Sequence, residues 1–301
     1  MSIVKSISVG EGDMFYIKHT SSNFTIIDCC MDETNQDDIL DEIEEEKSGK
    51  HITRFISTHP DNDHLRGLRE LDDRLELLNF YCVENKATKK DYDADFEHYR
   101  SLRDGPHHYY VSKGCKRKWM NDNDPNDGLN YGSSGINFLW PVPDNEDFQD
   151  ALELASRGEE FNNISPIFTY SLEGGVKIMW MGDMETNFQE KIVNEVSWHE
   201  IDILFAPHHG RDSGHVPSEI LKKLNPQIIV IGEAPSEHLN YYRNYNTIKQ
   251  NSAGDIVFDC LRGKVRIFVG NENYHEGYLK KELMQKSPLG YYIGTLYTKK
   301  K

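Results

Sequence analysis

Four ionisable side chains within six residues constrain this chain more than any other feature of its sequence. Segment 59–64 reads His-Pro-Asp-Asn-Asp-His, with two imidazoles and two carboxylates. It follows an alternating stretch, 51–57, that predicts a β-strand, and precedes a helical pattern through Leu77. So dense a polar cluster on a strand-to-helix loop is costly to desolvate unless a cation compensates it. Taken alone, the segment could also be an exposed turn rich in Asp, Asn and His.

Two further apolar strands end abruptly in residues of the same kind. The stretch KIMWMGD ends in Asp183, and ILFAPHHG carries His208 and His209. Proteins of the α/β class place their chemistry on the loops that follow strands. Three such sites in one chain favour a shared metal centre over three unrelated loops.

The remaining pattern predicts an α/β fold. Apolar stretches 14–18 and 24–28 flank a polar turn and predict a hairpin. Further strands are predicted at 136–142, 167–183 as a hairpin, 201–207, 227–233, and 255–260 with 264–270, and helices at 37–47, 188–196 and 217–225. One domain over 1–301 is the simplest organisation, with a polar, Tyr-rich insertion at about 86–135.

Together these segments resemble the metallo-β-lactamase-fold hydrolases, and within them the nuclease-like domain of bacterial DNA-uptake competence proteins. In chain order, the resemblance is carried by VGEGDMFYI, FTIID, STHPDNDHLRGL, NNISPIFTY running into KIMWMGD, and DILFAPHHG. It covers roughly Val9 to Gly232. The resemblance implies an αββα sandwich, in which two mixed β-sheets are flanked by helices.

The family pattern His-x-His-x-Asp-His falls on His59, Asp61, Asp63 and His64, so an aspartate replaces the middle histidine. The resemblance implies that His59 and Asp61 help to hold one metal ion and that Asp63 and His64 help to hold a second. Asp183 matches the aspartate that bridges the two. Asp63 and Asp183 are then expected to orient a water molecule that the metal ions activate.

His209 resembles the last histidine ligand, and His208 is the candidate for contacting the scissile phosphate or protonating the leaving group. The reverse assignment of this pair stays open. The histidine expected before the Gly-Asp strand is absent, and Asn163 and Ser165 occupy that region. One metal site is therefore poorer in nitrogen, which favours Mn²⁺ or Mg²⁺ relative to Zn²⁺, with one or two ions bound.

The resemblance points to a metal-dependent phosphodiesterase, specifically a nuclease that acts on DNA. A net charge of −16 repels nucleic acid at long range, so DNA would need a local basic surface and bound cations. Basic residues concentrate in the predicted insertion, interleaved with aromatic residues: Lys86, Lys89, Lys90, Arg100, Arg103, Lys113, Lys116, Arg117 and Lys118. Further candidates for substrate contact are Asn163, Ser165, Arg211 and His238.

Two alternatives stay open from the sequence. One is hydrolysis of a small phosphodiester or ester, such as a cyclic nucleotide or a phosphocholine group. The other is a binding module whose metal centre is not catalytic, which the replacement at Asp61 and the missing histidine both allow.

The sequence also indicates where the protein works. It has no basic and apolar N-terminal signal pattern, no apolar run near ~20 residues, and five cysteines without CxxC spacing. We therefore expect a cytoplasmic protein without a membrane partner. Cytoplasmic domains that resemble this one can serve as antiphage-defence effectors, which leaves room for a regulatory protein partner.

Overall fold

Two mixed β-sheets form the centre of the protein, as seen in a computed structural model that describes residues 1–91, 93–122, 128–129, 131–235, 240–284 and 287–299. The first sheet, within these residues, has nine strands: β1 Ser2–Ser6, β2 Phe15–Lys18, β3 Asn23–Ile27, β4 Ile52–Ile56, β5 Phe80–Cys82, β6 His108–Tyr110, β13 Ile256–Leu261, β14 Lys264–Val269 and β15 Tyr291–Tyr297. Its strand order is β15-β14-β13-β1-β2-β3-β4-β5-β6.

The second sheet has six strands in the same described ranges: β7 Ile136–Trp140, β8 Ile167–Ser171, β9 Lys177–Trp180, β10 Ile203–Phe205, β11 Ile228–Ile231 and β12 Thr247–Lys249. Their order is β12-β11-β10-β9-β8-β7, with parallel pairing from β9 to β12 and antiparallel pairing from β7 to β9.

Helices flank the two sheets: α1 Gln36–Lys47, α2 Asn62–Leu65, α3 Leu68–Leu75, α4 Ala94–Asp104, α5 Glu146–Ser156, α6 Thr186–Lys191, α7 Ser218–Leu224 and α8 Gln250–Ala253. The predicted αββα sandwich is confirmed. None of the helices among the described residues has the length and apolar character that a membrane span requires.

Aromatic side chains fill the space between the sheets. Phe15 of β2 lies 4.8 Å from Phe205 of β10 and 6.1 Å from Trp180 of β9, measured between ring centroids. Phe205 also contacts Phe258 of β13 at 6.0 Å. Alternate residues of each strand face this layer, so the aromatic packing sets how one sheet lies over the other. The strand ends that carry the polar motifs are thereby brought to one edge.

Most predicted elements are present with shifted bounds. The pairing of β2 with β3 confirms the first hairpin, and that of β13 with β14 confirms the last. The predicted insertion at 86–135 contributes α4 and the edge strand β6, which pairs in parallel with β5. Phe96 and Tyr99 of α4 are buried. Part of this polar segment is thus built into the edge of the first sheet.

Candidate metal centre

The predicted ligands lie just beyond the carboxyl ends of three strands, and Asp28 lies at the carboxyl end of a fourth. Asp28 directly follows β3, His59 follows β4, Asp183 follows β9, and the His208/His209 pair follows β10. In the first sheet β3 pairs in parallel with β4, and in the second β9 pairs in parallel with β10. The two strands of each pair therefore end at the same edge of their sheet. This is the edge at which α/β folds bind ligands.

The carboxylate of Asp183 lies at the centre of this group. Its Oδ1 is 3.3 Å from Nε2 of His64, and its Oδ2 is 3.3 Å from Nε2 of His209. Nε2 of His209 also lies 3.4 Å from Oδ2 of Asp63. Two imidazoles and two carboxylates therefore surround one small volume, and each of these residues was predicted as a ligand.

Several atoms in and beside this volume have no hydrogen-bond partner. They are buried and comprise Nε2 of His59, His64 and His209 and Oδ1 of Asp183. Leaving so many buried polar atoms unsatisfied is costly, and a cation would remove that cost. Two ligand atoms bound to one tetrahedral zinc ion at ~2.0–2.1 Å lie about 3.3 Å apart. The residues therefore fit a divalent metal ion.

Asp28 supports His64 from behind. Its Oδ2 lies 2.9 Å from Nδ1 of His64, and its Oδ1 accepts a hydrogen bond from the Thr58 backbone N–H at 2.7 Å. The Thr58 hydroxyl donates to the same carboxylate at 2.6 Å. A carboxylate behind an imidazole fixes which nitrogen is free to bind a metal ion. No role was predicted for Asp28 from the sequence.

His59 and Asp61 form a second, looser group. Nε2 of His59 lies 3.6 Å from Oδ2 of Asp61, whose side chain is about a third exposed. Ser165 is fully buried, with its hydroxyl oxygen 3.4 Å from Nδ1 of His59 and accepting the Asp183 backbone N–H at 3.3 Å. Ser165 therefore orients two of the predicted ligands.

His208 faces the same carboxylate from the solvent side. Its Nε2 lies 3.8 Å from Oδ2 of Asp183, while its Nδ1 lies 2.9 Å from the Ser213 hydroxyl. Its side chain retains 15% exposure, whereas that of His209 has none. His209 is thus the better placed ligand, and His208 the better placed residue for meeting a substrate.

The charges of the site shift one another's pKa values. Burial raises the pKa of Asp183, but His209 and His64 outweigh it and hold that pKa well below its usual range. Burial lowers the pKa of His64 and His209, yet Asp183 raises both well above the usual value. Burial, reinforced by His64, lowers the pKa of His59 to about 3. Positive charge is thus favoured beside Asp183, whereas His59 is held neutral.

Strained backbone marks the same loops. Six non-glycine residues among those described have positive φ, and Asp28, His208 and His209 are three of them. Such conformations persist where the surrounding structure over-determines them, and they cluster at functional sites. Gly182, at φ 53°, precedes the central aspartate.

Gly182→Ala is expected to lower the free energy of unfolding by about 2–5 kcal/mol, combining left-handed strain with overpacking. A Cβ at this position would lie 2.5 Å from the Ser165 hydroxyl oxygen and 2.9 Å from Cβ of Thr58. Gly263 has φ 74° and no atom within 4 Å of such a Cβ, so Gly263→Ala isolates the strain alone. Equal losses of unfolding free energy in Gly182→Ala and Gly263→Ala, measured by urea unfolding, would show that the packing around Gly182 is not tight.

The remaining candidates lie around the rim. The side-chain amide of Asn163 donates to Glu160 and, at 3.3 Å, to Glu185, while its oxygen accepts the Glu185 backbone N–H. Arg211 lies 3.5 Å from Glu11, with its side chain 28% exposed. His238 lies outside the described residues.

A sequence profile described as the metallo-beta-lactamase superfamily matches residues 7–160, or 154 of the 301 residues. The chain belongs to the metallo-β-lactamase superfamily. The matched segment contains Asp28 and the ligand loop from His59 to His64. Membership in this superfamily favours a metal-dependent hydrolase. The finer resemblance to the competence-protein branch stays a prediction.

Among solved structures, the chain is similar to Igni18, described as a novel metallo hydrolase from Ignicoccus hospitalis. The identity is 15%, covering 85% of this chain and 99% of that one, with a TM-score of 0.50. It is also similar to CmlA, described as a diiron β-hydroxylase from Streptomyces venezuelae, at 11% identity over 77% of this chain and 44% of that one, with a TM-score of 0.44. The likeness to Igni18 supports the fold. No curated protein matches the sequence.

Proposed function

We propose that this protein is a metal-dependent phosphodiesterase that cleaves DNA. The observation that carries the proposal is the convergence of the unsatisfied Nε2 atoms of His64 and His209 on the carboxylate of Asp183, with the unsatisfied Nε2 of His59 beside Asp61. Bound divalent ions supply Lewis acidity and lower the pKa of water. Asp63 and Asp183 would hold such ions, and His208 lies where it can meet a substrate or leaving group.

A lysine-containing pocket beside the centre suits a phosphate group. Its volume is about 630 Å³, and its lining carries two lysines, Lys89 and Lys90, and four carboxylates, those of Asp61, Asp63, Asp91 and Asp93. The pocket would therefore hold a phosphate only together with bound cations. Lys89 contacts Asn62 and, at 2.9 Å, Asp93, which hold its ammonium at the pocket wall. Lys90 is exposed. Ammonium groups this close to the metal ligands can bind the phosphates that flank a scissile bond.

The rest of the basic segment supports DNA binding less strongly. Arg100 pairs with Glu97 at 3.0 Å, and Arg103 is largely buried and pairs with Asp104 at 2.7 Å. These pairs neutralise part of the charge counted from the sequence. This favours, as a second candidate, a small phosphodiester that needs only the pocket at Lys89 and Lys90.

The decisive assay incubates supercoiled plasmid and linear DNA with Mn²⁺, Mg²⁺, Zn²⁺ or EDTA. Cleavage that needs metal and is lost in Asp63→Asn and His59→Ala would support the proposal. Asp73→Asn, on the exposed face of α3, is the matched control and should cut normally. Hydrolysis of bis-nitrophenyl phosphate or a cyclic nucleotide without DNA cleavage would move the function to the second candidate. No hydrolysis of either by folded, metal-loaded protein would reject both.

Lys90→Ala is expected to weaken DNA binding, raising KM with little change in kcat, because it removes a phosphate contact and no catalytic group. Loss of one such contact should reduce the slope of log K against log salt by about 1. The slope is measured by fluorescence anisotropy between low and moderate salt. The control, Lys264→Ala, removes a lysine of β14 that pairs with Glu282 at 2.9 Å. An unchanged salt slope in Lys90→Ala would argue against DNA binding at the pocket beside Lys89 and Lys90.

A further inference from the structure

The turn between β1 and β2 lies against both ligand loops. The Asp13 backbone N–H donates to the carbonyl oxygen of Asp63 at 3.1 Å, and its carboxylate Oδ1 lies 3.2 Å from Nδ1 of His209. Gly12 fits only without a side chain, because a Cβ would lie 2.6 Å from the Asp63 carbonyl oxygen and 2.4 Å from Sγ of Cys30. This turn therefore connects a ligand loop of one sheet with a ligand loop of the other.

The two nitrogens of His209 have different partners. Nε2 faces Asp63 and Asp183 at 3.4 and 3.3 Å and has no hydrogen-bond partner. Nδ1 faces Asp13, whose side chain is only 15% exposed. A carboxylate that accepts the Nδ1 proton leaves the lone pair on Nε2 and makes that nitrogen a better ligand.

Asp13 could in principle also be a ligand itself. Asp13, His64, Asp183 and His209 each offer one ligand atom within 4.8 Å of the others. However, Oδ1 of Asp13 is engaged with Nδ1 of His209, and Nε2 lies on the other side of that ring. Asp63 reaches Nε2 from the pocket side and is the better ligand.

We propose that Asp13 is a positioning residue, which holds His209 in the orientation and tautomer that bind the metal ion. Its position parallels that of Asp28 behind His64, but it comes from a different part of the chain. The proposal rests on the metal centre of the proposed function and not on its substrate. It makes the β1–β2 turn part of the metal site.

The test measures metal affinity in the full-length protein. Mn²⁺, Zn²⁺ or Co²⁺ alone is titrated against a competing fluorescent chelator in wild type, Asp13→Ala and Asp13→Asn. Asp13→Ala should bind the metal 10–100-fold more weakly with the same stoichiometry, the usual effect of losing an outer partner of a ligating histidine. Asp13→Asn should recover part of this loss, because its side-chain oxygen still accepts the Nδ1 proton. Glu11→Ala removes an exposed charge from the same turn and should bind as wild type does.

Three outcomes would overturn the proposal. If the metal affinity of Asp13→Ala is within about threefold of the wild-type affinity, the loss is smaller than that expected for a partner of a ligating histidine, and Asp13 has no positioning role. An equal loss of metal affinity in Glu11→Ala would show that only the overall charge of the turn matters. Loss of a whole metal equivalent in both Asp13 variants, with a changed Co²⁺ absorption spectrum, would make Asp13 a ligand. If Asp13→Ala does not fold, Asp13→Asn alone decides. These readouts hold even if the protein does not cleave DNA.

Discussion

Asp183→Ala is expected to lower hydrolysis by about 10²–10⁴-fold and to lower the metal content of the purified protein. The carboxylate of Asp183 lies within 3.8 Å of a ring nitrogen of His64, His208 and His209, so it joins three members of the centre. A metal centre contributes several kcal/mol to stabilising a transition state, and each 1.36 kcal/mol is a factor of ten in rate.

Steady-state kinetics and elemental analysis of the same samples check this prediction. Asp259→Ala is a useful comparison, since Asp259 is a buried acid on β13 that pairs with Arg266 at 3.7 Å. Asp259 lies outside the ligand loops, so Asp259→Ala should keep its metal. If Asp183→Ala retained more than a tenth of the wild-type rate, the proposed centre would be wrong.

His64→Ala is expected to destabilise the fold by about 3–5 kcal/mol, in addition to its effect on metal binding. Asp28 is 1% exposed, and His64 supplies its only cationic partner among the described residues. Removing one member of a buried ion pair leaves the other charge uncompensated, which is the reason for so large a loss. The hydrogen bonds from Thr58 to Asp28 remain, which places the effect nearer 3 kcal/mol.

Urea unfolding of metal-free protein measures this loss without interference from bound ions. The double variant Asp28→Asn/His64→Ala removes the uncompensated charge and should recover part of the stability, giving a positive coupling in a double-mutant cycle. Additive losses would show that Asp28 and His64 do not stabilise each other. Because His64→Ala is expected to destabilise the fold, Asp63→Asn is the cleaner variant for activity assays.

The residues that the structure brings together at the candidate site could be predicted because each lies within a short, recognisable segment. His59 to His64 form one loop after a strand, and Asp183 and His208 each end an apolar stretch. Strand patterns place these loops at carboxyl ends, and parallel pairing brings those ends together. Local sequence was therefore enough to identify the loops, although it did not give the distances between them.

The supporting residues could not be predicted in the same way. Asp13 and Asp28 are distant in sequence from the histidines they hold, and only the assembled sheets bring them together. One signal was present for Asp28, since FTIID ends a buried strand in an acid, as KIMWMGD does. Helix α4 was missed because polar side chains surround its buried Phe96 and Tyr99.

The two positions at which the sequence lacks an expected histidine give the centre two unequal halves. His64, His209, Asp63 and Asp183 form the compact half, with distances of 3.3–3.4 Å between ligand atoms. The half with His59 and Asp61 is looser at 3.6 Å, and Ser165 lies in the region where the sequence lacks the expected histidine. We therefore expect the compact half to bind a metal ion first.

The most direct test of the metal centre is anomalous X-ray diffraction from crystals soaked in Zn²⁺ or Mn²⁺. The structure predicts a peak bounded by Nε2 of His64, Nε2 of His209 and the carboxylate of Asp183, at about 2.0–2.2 Å from each if zinc is bound. A strong peak elsewhere, touching none of these side chains, would contradict the account.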